Sequence, residues 1–206
     1  MQTNPLIQRL TFLSEIDRLK SVIRQSPILD QSRKENSAEH SWHVAMFALL
    51  LQDYASSSVN IERVIKMLLI HDVVEVDVGD TPIHGGSSPD EQHYLETQAA
   101  NRLFGLLPKE QAAELLALWH EFEEAQSEDA LFAKALDRIQ PLLANVSTGG
   151  GTWTESNVTL EQVLQRYGPT IERGCPALWS ICKQLSEEHF AISKHPTTTT
   201  TSTSMK

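Results

Sequence analysis

Four places in the chain carry residue types that could do chemistry together: His40, the adjacent pair His71-Asp72, Glu75 with Asp80, and Asp137. Each lies in or beside a segment with strongly apolar neighbours. His71-Asp72 follows the run Val64-Ile65-Lys66-Met67-Leu68-Leu69-Ile70, which puts the pair at the end of a core helix. A buried carboxylate without compensation costs several kcal/mol, and a divalent cation supplies that compensation. Imidazole and carboxylate together suit one divalent transition metal ion: Mn, Co, Fe, Ni or Zn. One more His and one more Asp from other helices would complete four ligands and leave coordination positions open. A hydrolytic metal needs one for water and one for a substrate oxygen. Glu75 lies four residues after His71 and three after Asp72, one turn along on the same side. That is the place for a carboxyl that moves a proton. Asp80, just past Gly79, can orient the same water or the leaving oxygen.

The elements that must position these groups read as helices nearly throughout. Phe12, Ile16, Leu19, Val22 and Ile23 form a stripe at spacings of three and four, predicting a helix over Thr11–Arg24. Ser26-Pro27 breaks it, and an irregular polar stretch follows to Lys34. Asn36 with Glu39 three residues on predicts a capped helix running to about Tyr54, and Asn60 caps a third through Leu69 to Val74. Gly79, Pro82, Gly85 and Gly86 mark a loop over about 77–87. Ser88-Pro89-Asp90-Glu91 starts a helix to about Leu107. Pro108 starts another to Glu124, Ser127 caps one to about Ala144, and Thr159 and Pro176 open the last two, ending near Lys194. Gly149-Gly150-Gly151 reads as a flexible loop. No alternating β pattern of useful length stands out. The expected fold class is all-α, a compact bundle of about eight helices. Residues 1–195 form a single domain on this reading, and 196–206 a disordered, low-complexity tail.

On those residues the chain resembles the HD-domain metal-dependent phosphohydrolases. The resemblance rests on Asn36-Ser37-Ala38-Glu39-His40-Ser41, on His71-Asp72-Val73-Val74-Glu75 running into Val78-Gly79-Asp80, and on Ala135-Leu136-Asp137-Arg138. These blocks are most similar to the 5′-deoxynucleotidase branch and extend over roughly Ile23–Leu143. The resemblance implies a helical HD fold, a homodimer, and metal-dependent hydrolysis of (deoxy)nucleoside 5′-monophosphates to nucleoside and phosphate. It implies His40, His71, Asp72 and Asp137 as metal ligands, Glu75 as the catalytic acid/base and Asp80 as its assistant at the phosphate and sugar end. Aligned on the ENSAEHS block, Gln25 and Ser26 stand where the bacterial branch carries an Arg-Trp pair. Arg24 falls one position early, and Arg33 is the cation expected to meet the phosphate, with Lys34, Lys134 and Arg138 as further cations in reach. His84, in the Gly-rich loop near Asp80, is expected to touch substrate, and His43 to pack or hydrogen-bond beside Trp42. Another HD reaction and a non-catalytic nucleotide-binding HD module remain the alternatives.

Composition bounds the partners. The 206 residues hold 17 Lys+Arg against 27 Asp+Glu, a formal charge of −10. A surface of that sign repels phosphate backbones, which argues for a small nucleotide substrate and against nucleic acid as partner. Apolar runs fall far short of the roughly 20 residues a membrane helix needs, and MQTNPLIQRL carries no leader-like apolar run. Cys175 and Cys182, seven apart on a helix, are separated by roughly 10 Å of rise, too far for an unstrained disulfide. Two reduced core cysteines and no membrane segment lead us to expect a cytoplasmic protein.

Overall fold

The computed structural model describes residues 4–81 and 88–194. The order is α1 (Pro5–Ile16), a 3₁₀ turn (Asp17–Ser21), β1 (Ile23–Pro27), β2 (Lys34–Asn36), α2 (Ser37–Leu51), a 3₁₀ turn (Gln52–Tyr54), α3 (Ile61–Ile70), a 3₁₀ turn (His71–Val74), α4 (Glu75–Val78), α5 (Pro89–Phe104), α6 (Lys109–Glu124), α7 (Glu128–Ser147), α8 (Gly151–Glu155), α9 (Leu160–Gly174) and α10 (Pro176–Lys194). Among the described residues eight of these helices have ten residues or more, and α4 and α8 are single turns. The helical bundle is as expected.

Local chemistry sets the helix starts. The Asn36 side chain accepts from the Glu39 amide at 3.0 Å while Glu39 accepts back from the Asn36 amide at 3.3 Å, so α2 begins in a reciprocal cap. Asn60 and Ser127 cap α3 and α7 through their side chains, and Thr159 opens α9 in a second capping box. Ser88 makes no side-chain cap bond; α5 begins with proline at its first position and Asp90 and Glu91 in its first turn.

Three expectations are corrected. The stripe predicted as one helix to Arg24 stops at Ile16; a 3₁₀ turn follows, Val22 is extended, and Ile23–Pro27 pairs antiparallel with Lys34–Asn36 in an irregular two-stranded ribbon. That pairing is non-local, so helical periodicity could not register it. The helix of Ser88 ends at Phe104, three residues short of Leu107. The triple glycine is not a loose loop: Gly149, Gly150 and Gly151 take φ of 72°, 114° and 42°, a conformation open to glycine, and fold directly into α8. Asn145 Oδ1 pins that turn, accepting from the Thr152 amide and hydroxyl at 2.8 and 2.9 Å.

The interior has two apolar clusters. One joins α2, α3, α7, α9 and α10 around Met67, Leu68, Phe132, Leu136 and Trp153; the other joins α1, α5 and α6 around Phe12, Phe104 and Trp119. Ile70 packs against both. The next residues, His71–Val74, are all buried, so the HD pair sits at the seam. Fully burying Met67 and Leu68 contributes roughly 1.5–3 kcal/mol each, which anchors the helix end that carries the pair. Gly79, at φ 77°, ends α4 and turns the chain to Asp80.

Candidate metal centre and active site

Three elements bring the ligand set together. His40 comes from the first turn of α2, set by the capping box one turn before it; His71 and Asp72 from the 3₁₀ turn; Asp137 from the middle of α7. Asp137 Oδ1 lies 2.9 Å from His40 Nε2 and 3.4 Å from His71 Nε2, and Asp72 Oδ1 lies 3.0 Å from His71 Nε2. One ligand atom each from His40, His71 and Asp72 fall within 4.8 Å of one another. All four residues are buried.

Both imidazoles are tied back on the far nitrogen. His71 Nδ1 is 2.7 Å from the Leu68 carbonyl, which can only accept, so that nitrogen carries a proton and Nε2 is the one turned to the ligand cluster. His71 Nε2 has no hydrogen-bond partner although it is buried. His40 Nδ1 faces Gln140 Oε1 at 3.1 Å. An orphaned ring nitrogen beside carboxylates, with the other nitrogen occupied, fits a divalent cation. The charge balance fits one as well: Asp72, Glu75 and Asp80 crowd round a single guanidinium, Arg24, at 2.8, 3.6 and 3.4 Å.

Burial and neighbouring charges pull these groups in opposite directions. Burial and Arg24 press the His40 imidazolium down, but the carboxylates of Asp137, Glu35 and Asp72 outweigh them and hold its pKa at about 9. Burial pushes Asp137 up, and His40 and His71 more than reverse it, holding it well below the usual carboxylate range. Burial first, and then the charge of Asp72, raise the Glu75 carboxyl to about 9 against the pull of Arg24. Side chains three apart eclipse in a 3₁₀ turn, which is why Asp72 bears so directly on Glu75. Burial likewise raises Asp80, against Arg24 and the Gln25 amide.

Over these groups lies a pocket of about 370 Å³. Arg24, His71, Asp72, Glu75, Asp80 and Asp137 line it together with Gln92, His93 and Glu96 of α5, Glu123 of α6, and Lys134 and Arg138 of α7.

The HD-domain family model matches residues 16–179. The chain belongs to the HD-domain family. A crystal structure of a predicted metal-dependent phosphohydrolase from Magnetospirillum magnetotacticum MS-1 matches this HD domain with a TM-score of 0.86 and 49% identity, over 92% of this chain and 97% of that one. A mouse protein named 5′-deoxynucleotidase HDDC2 is 33% identical over 135 residues, 65% of this chain. That match spans 66% of the relative's own length, just under two thirds. A 5′-deoxynucleotidase of Yersinia pestis is 31% identical over 172 residues, 78% of this chain and 87% of its own.

Not every expected residue of this HD domain meets at the pocket. Arg33, expected at the phosphate, is turned away: it grips Glu39 through both terminal nitrogens at 2.7 and 2.8 Å and lines a different groove. Its long side chain is spent on the cap of α2. Arg24 stands in the pocket instead, because β1 is a strand: residues 24 and 26 share the inward face and Gln25 takes the other. A strand signal at Ile23–Pro27 would have found it. His84 lies outside the described residues. His43 stacks on Trp42 and meets Gln140 Nε2 at 3.3 Å, away from the ligands. His93, exposed on α5, forms a second His-carboxylate cluster with Glu96 and Glu123 beside the same pocket. Among the described residues, no helix is long and apolar enough to cross a membrane.

Proposed function

We propose that this chain is a metal-dependent phosphomonoesterase that hydrolyses nucleoside 5′-monophosphates, the deoxy series foremost, to nucleoside and phosphate. The observation that carries the reading is the convergence of His40, His71, Asp72 and Asp137 on one buried point with both imidazoles tied back. Relatives named 5′-deoxynucleotidase support the substrate class. We read residues 1–195 as the unit that carries this activity.

The four ligands would hold one divalent transition ion, its identity open among Mn, Co, Fe, Ni and Zn. When bound, such an ion supplies Lewis acidity toward phosphoryl oxygens and lowers the pKa of coordinated water toward neutrality. Arg24 is the guanidinium nearest the ligands and offsets charge on the phosphoryl oxygens. Glu75, whose carboxyl is pushed up by burial, donates to the ribose 5′ oxygen as its bond to phosphorus breaks. It recovers a proton from the attacking water, whose oxygen forms the new bond to phosphorus. Asp80, hydrogen-bonded by the Gln25 amide and 3.4 Å from Arg24, orients that water or the leaving oxygen. Lys134 and Arg138 line the same pocket and are the further cations a bound nucleotide would meet.

The chain's net charge of −10 supports a free nucleotide over a nucleic-acid partner. Leu6, Ile7, Leu10 and Leu13, all more than half exposed, form one stripe on α1 that a second copy would cover, which supports a homodimer. Two buried free cysteines support the cytoplasm as its compartment.

The test is phosphate release from paired deoxy- and ribonucleoside 5′-monophosphates by chelator-stripped protein with single metals restored. Release that requires a transition ion and collapses in Glu75→Ala is expected. No release with any metal would sink the reading and leave a binding module or another HD reaction.

A further inference from the structure

Resting on the metal-centre reading above, we infer that Gln140 is a positioning residue that fixes the ring of His40, and that Glu35 locks Gln140 to that task. Gln140 follows Asp137 by three residues on α7, so both reach the same side of the helix. One helix therefore holds His40 at both nitrogens: Asp137 Oδ1 at 2.9 Å from Nε2, and Gln140 Oε1 at 3.1 Å from Nδ1. A carboxamide has an accepting end and a donating end, and which end faces His40 decides which ring nitrogen is left for a cation.

Glu35 settles that orientation. Its Oε1 lies 3.0 Å from Gln140 Nε2, which also meets His43 Nδ1 at 3.3 Å, and a carboxylate accepts, so the nitrogen of the amide must face Glu35; the other carboxylate oxygen, 3.5 Å from His40 Nδ1, is the more distant acceptor for the same ring N–H. The amide oxygen is then turned to His40, whose Nδ1 must donate. Nε2 is left facing the ligand cluster. Gln140 and Glu35 are 4% and 5% exposed, so water does not compete for these bonds. Glu35 belongs to β2, next to the Asn36 cap of the helix that carries His40. The ribbon, α2 and α7 thus meet in one relay. His71 needs no such device, because the Leu68 backbone carbonyl does the same work.

That contrast supplies an internal control. In the full chain loaded with Co²⁺, proton NMR in water reads the ring N–H of each coordinated imidazole as a separate, strongly shifted, exchangeable resonance. Wild type is expected to show two, from His40 and His71. In Gln140→Leu the His40 resonance is expected to vanish into exchange while that of His71 persists, and Co²⁺ affinity to fall about 10- to 100-fold. The double variant Glu35→Gln/Gln140→Glu exchanges the two groups: the carboxylate now on α7 accepts from His40 Nδ1, and the carboxamide now on β2 donates to its other oxygen. It is expected to restore the lost resonance and affinity within about threefold of wild type, where Gln140→Glu alone does not. Because the swap keeps volume and charge, it carries the test if Gln140→Leu fails to fold. Both resonances and wild-type affinity in Gln140→Leu would overturn the inference and leave the metal centre standing. So would a folded swap variant that recovers neither. A wild-type chain with no shifted pair would overturn the metal-centre reading itself, and this inference with it.

Discussion

Two His-carboxylate clusters border one pocket. His40, His71 and Asp72, with Asp137 Oδ1 2.9 Å from His40 Nε2, form the first; His93, Glu96 and Glu123 form the second. Distance does not separate them, but unmet need does. In the first cluster the residues are buried, each imidazole has its far nitrogen occupied, and Asp72 shares the one guanidinium of Arg24 with the neighbouring Glu75 and Asp80. In the second, His93 is exposed, Glu123 already has Lys134 at 2.9 Å, and Glu96 already accepts from Gln92 at 2.7 Å. A cation entering the first cluster relieves buried charge, whereas in the second it must displace a lysine that already does so.

The comparison breaks most visibly at Asp137. Asp137→Ala or His71→Ala is expected to lower Co²⁺ affinity at least about a hundredfold and phosphate release at least about a thousandfold. His93→Ala and Glu123→Ala are expected to stay within about tenfold in both. Equal losses from the two clusters would make the pocket a two-ion site. Glu75→Gln comes next. It removes the proton donor and keeps the shape, so kcat is expected to fall about 10²- to 10⁴-fold while titration calorimetry finds metal affinity nearly unchanged. A matching loss of metal affinity would move Glu75 into the ligand set.

Arg24 sharpens the same contrast from the stability side. Arg24→Met leaves Asp72, Glu75 and Asp80 without their shared partner, and losing one side of a buried pair costs about 3 kcal/mol. For a chain of this size that is a melting point lower by roughly 6–12 °C in metal-free protein. Added metal is expected to recover most of it. An unchanged metal-free melting point would mean that the carboxylates do not depend on this guanidinium.

How much of this was legible follows from how local each signal is. The capping box at Asn36-Glu39 and the apolar run ending in His71-Asp72 are complete within a few residues, so the placement of both histidines on their elements could be read. Arg24 could not. The stripe from Phe12 to Ile23 fits a helix better than it fits what forms, and the ribbon is decided by pairing with Lys34–Asn36 across a turn. Arg33 was the more obvious cation because nothing in the sequence says that Glu39, already used in a cap, also takes a guanidinium. Gln140 stood in plain sight at three after Asp137, but an uncharged side chain gave no reason to single it out.

The pH dependence of stability tests whether protons stand in for the cation. His40 has a folded pKa of about 9 against an ordinary 6.5, and Glu75 about 9 against 4.5. A raised pKa stabilises the fold below the unfolded value, and that contribution is lost as pH rises through the folded one. Both groups have this sign: the contribution of Glu75 is lost from about pH 4.5 and that of His40 from about pH 6.5, each up to about 9, so metal-free protein is expected to lose stability over that span, on the order of 3 kcal/mol from His40 alone. Metal affinity climbs over the same range because the ligands must shed protons. The melting-point gap between metal-loaded and stripped protein is therefore expected to widen with pH. A constant gap would show that the ligands titrate outside this window.

The smallest expected effect belongs to Arg33, and its smallness is informative. Its pairing with Glu39 is solvent-exposed, with both side chains more than a third accessible. Exposed pairs of this kind contribute about 0–1 kcal/mol. The capping box beneath it survives without the guanidinium, because Asn36 and Glu39 still bond each other. Arg33→Ala is therefore expected to leave KM for a nucleotide within about twofold and the melting point within a few degrees. Arg24→Met, at the other end of the same ribbon, is expected to raise KM about 10- to 100-fold. A large KM rise in Arg33→Ala would mean that the phosphate approaches from the Trp42 groove, reversing the roles of the two arginines. Steady-state kinetics on these two variants side by side decides which guanidinium the phosphate meets.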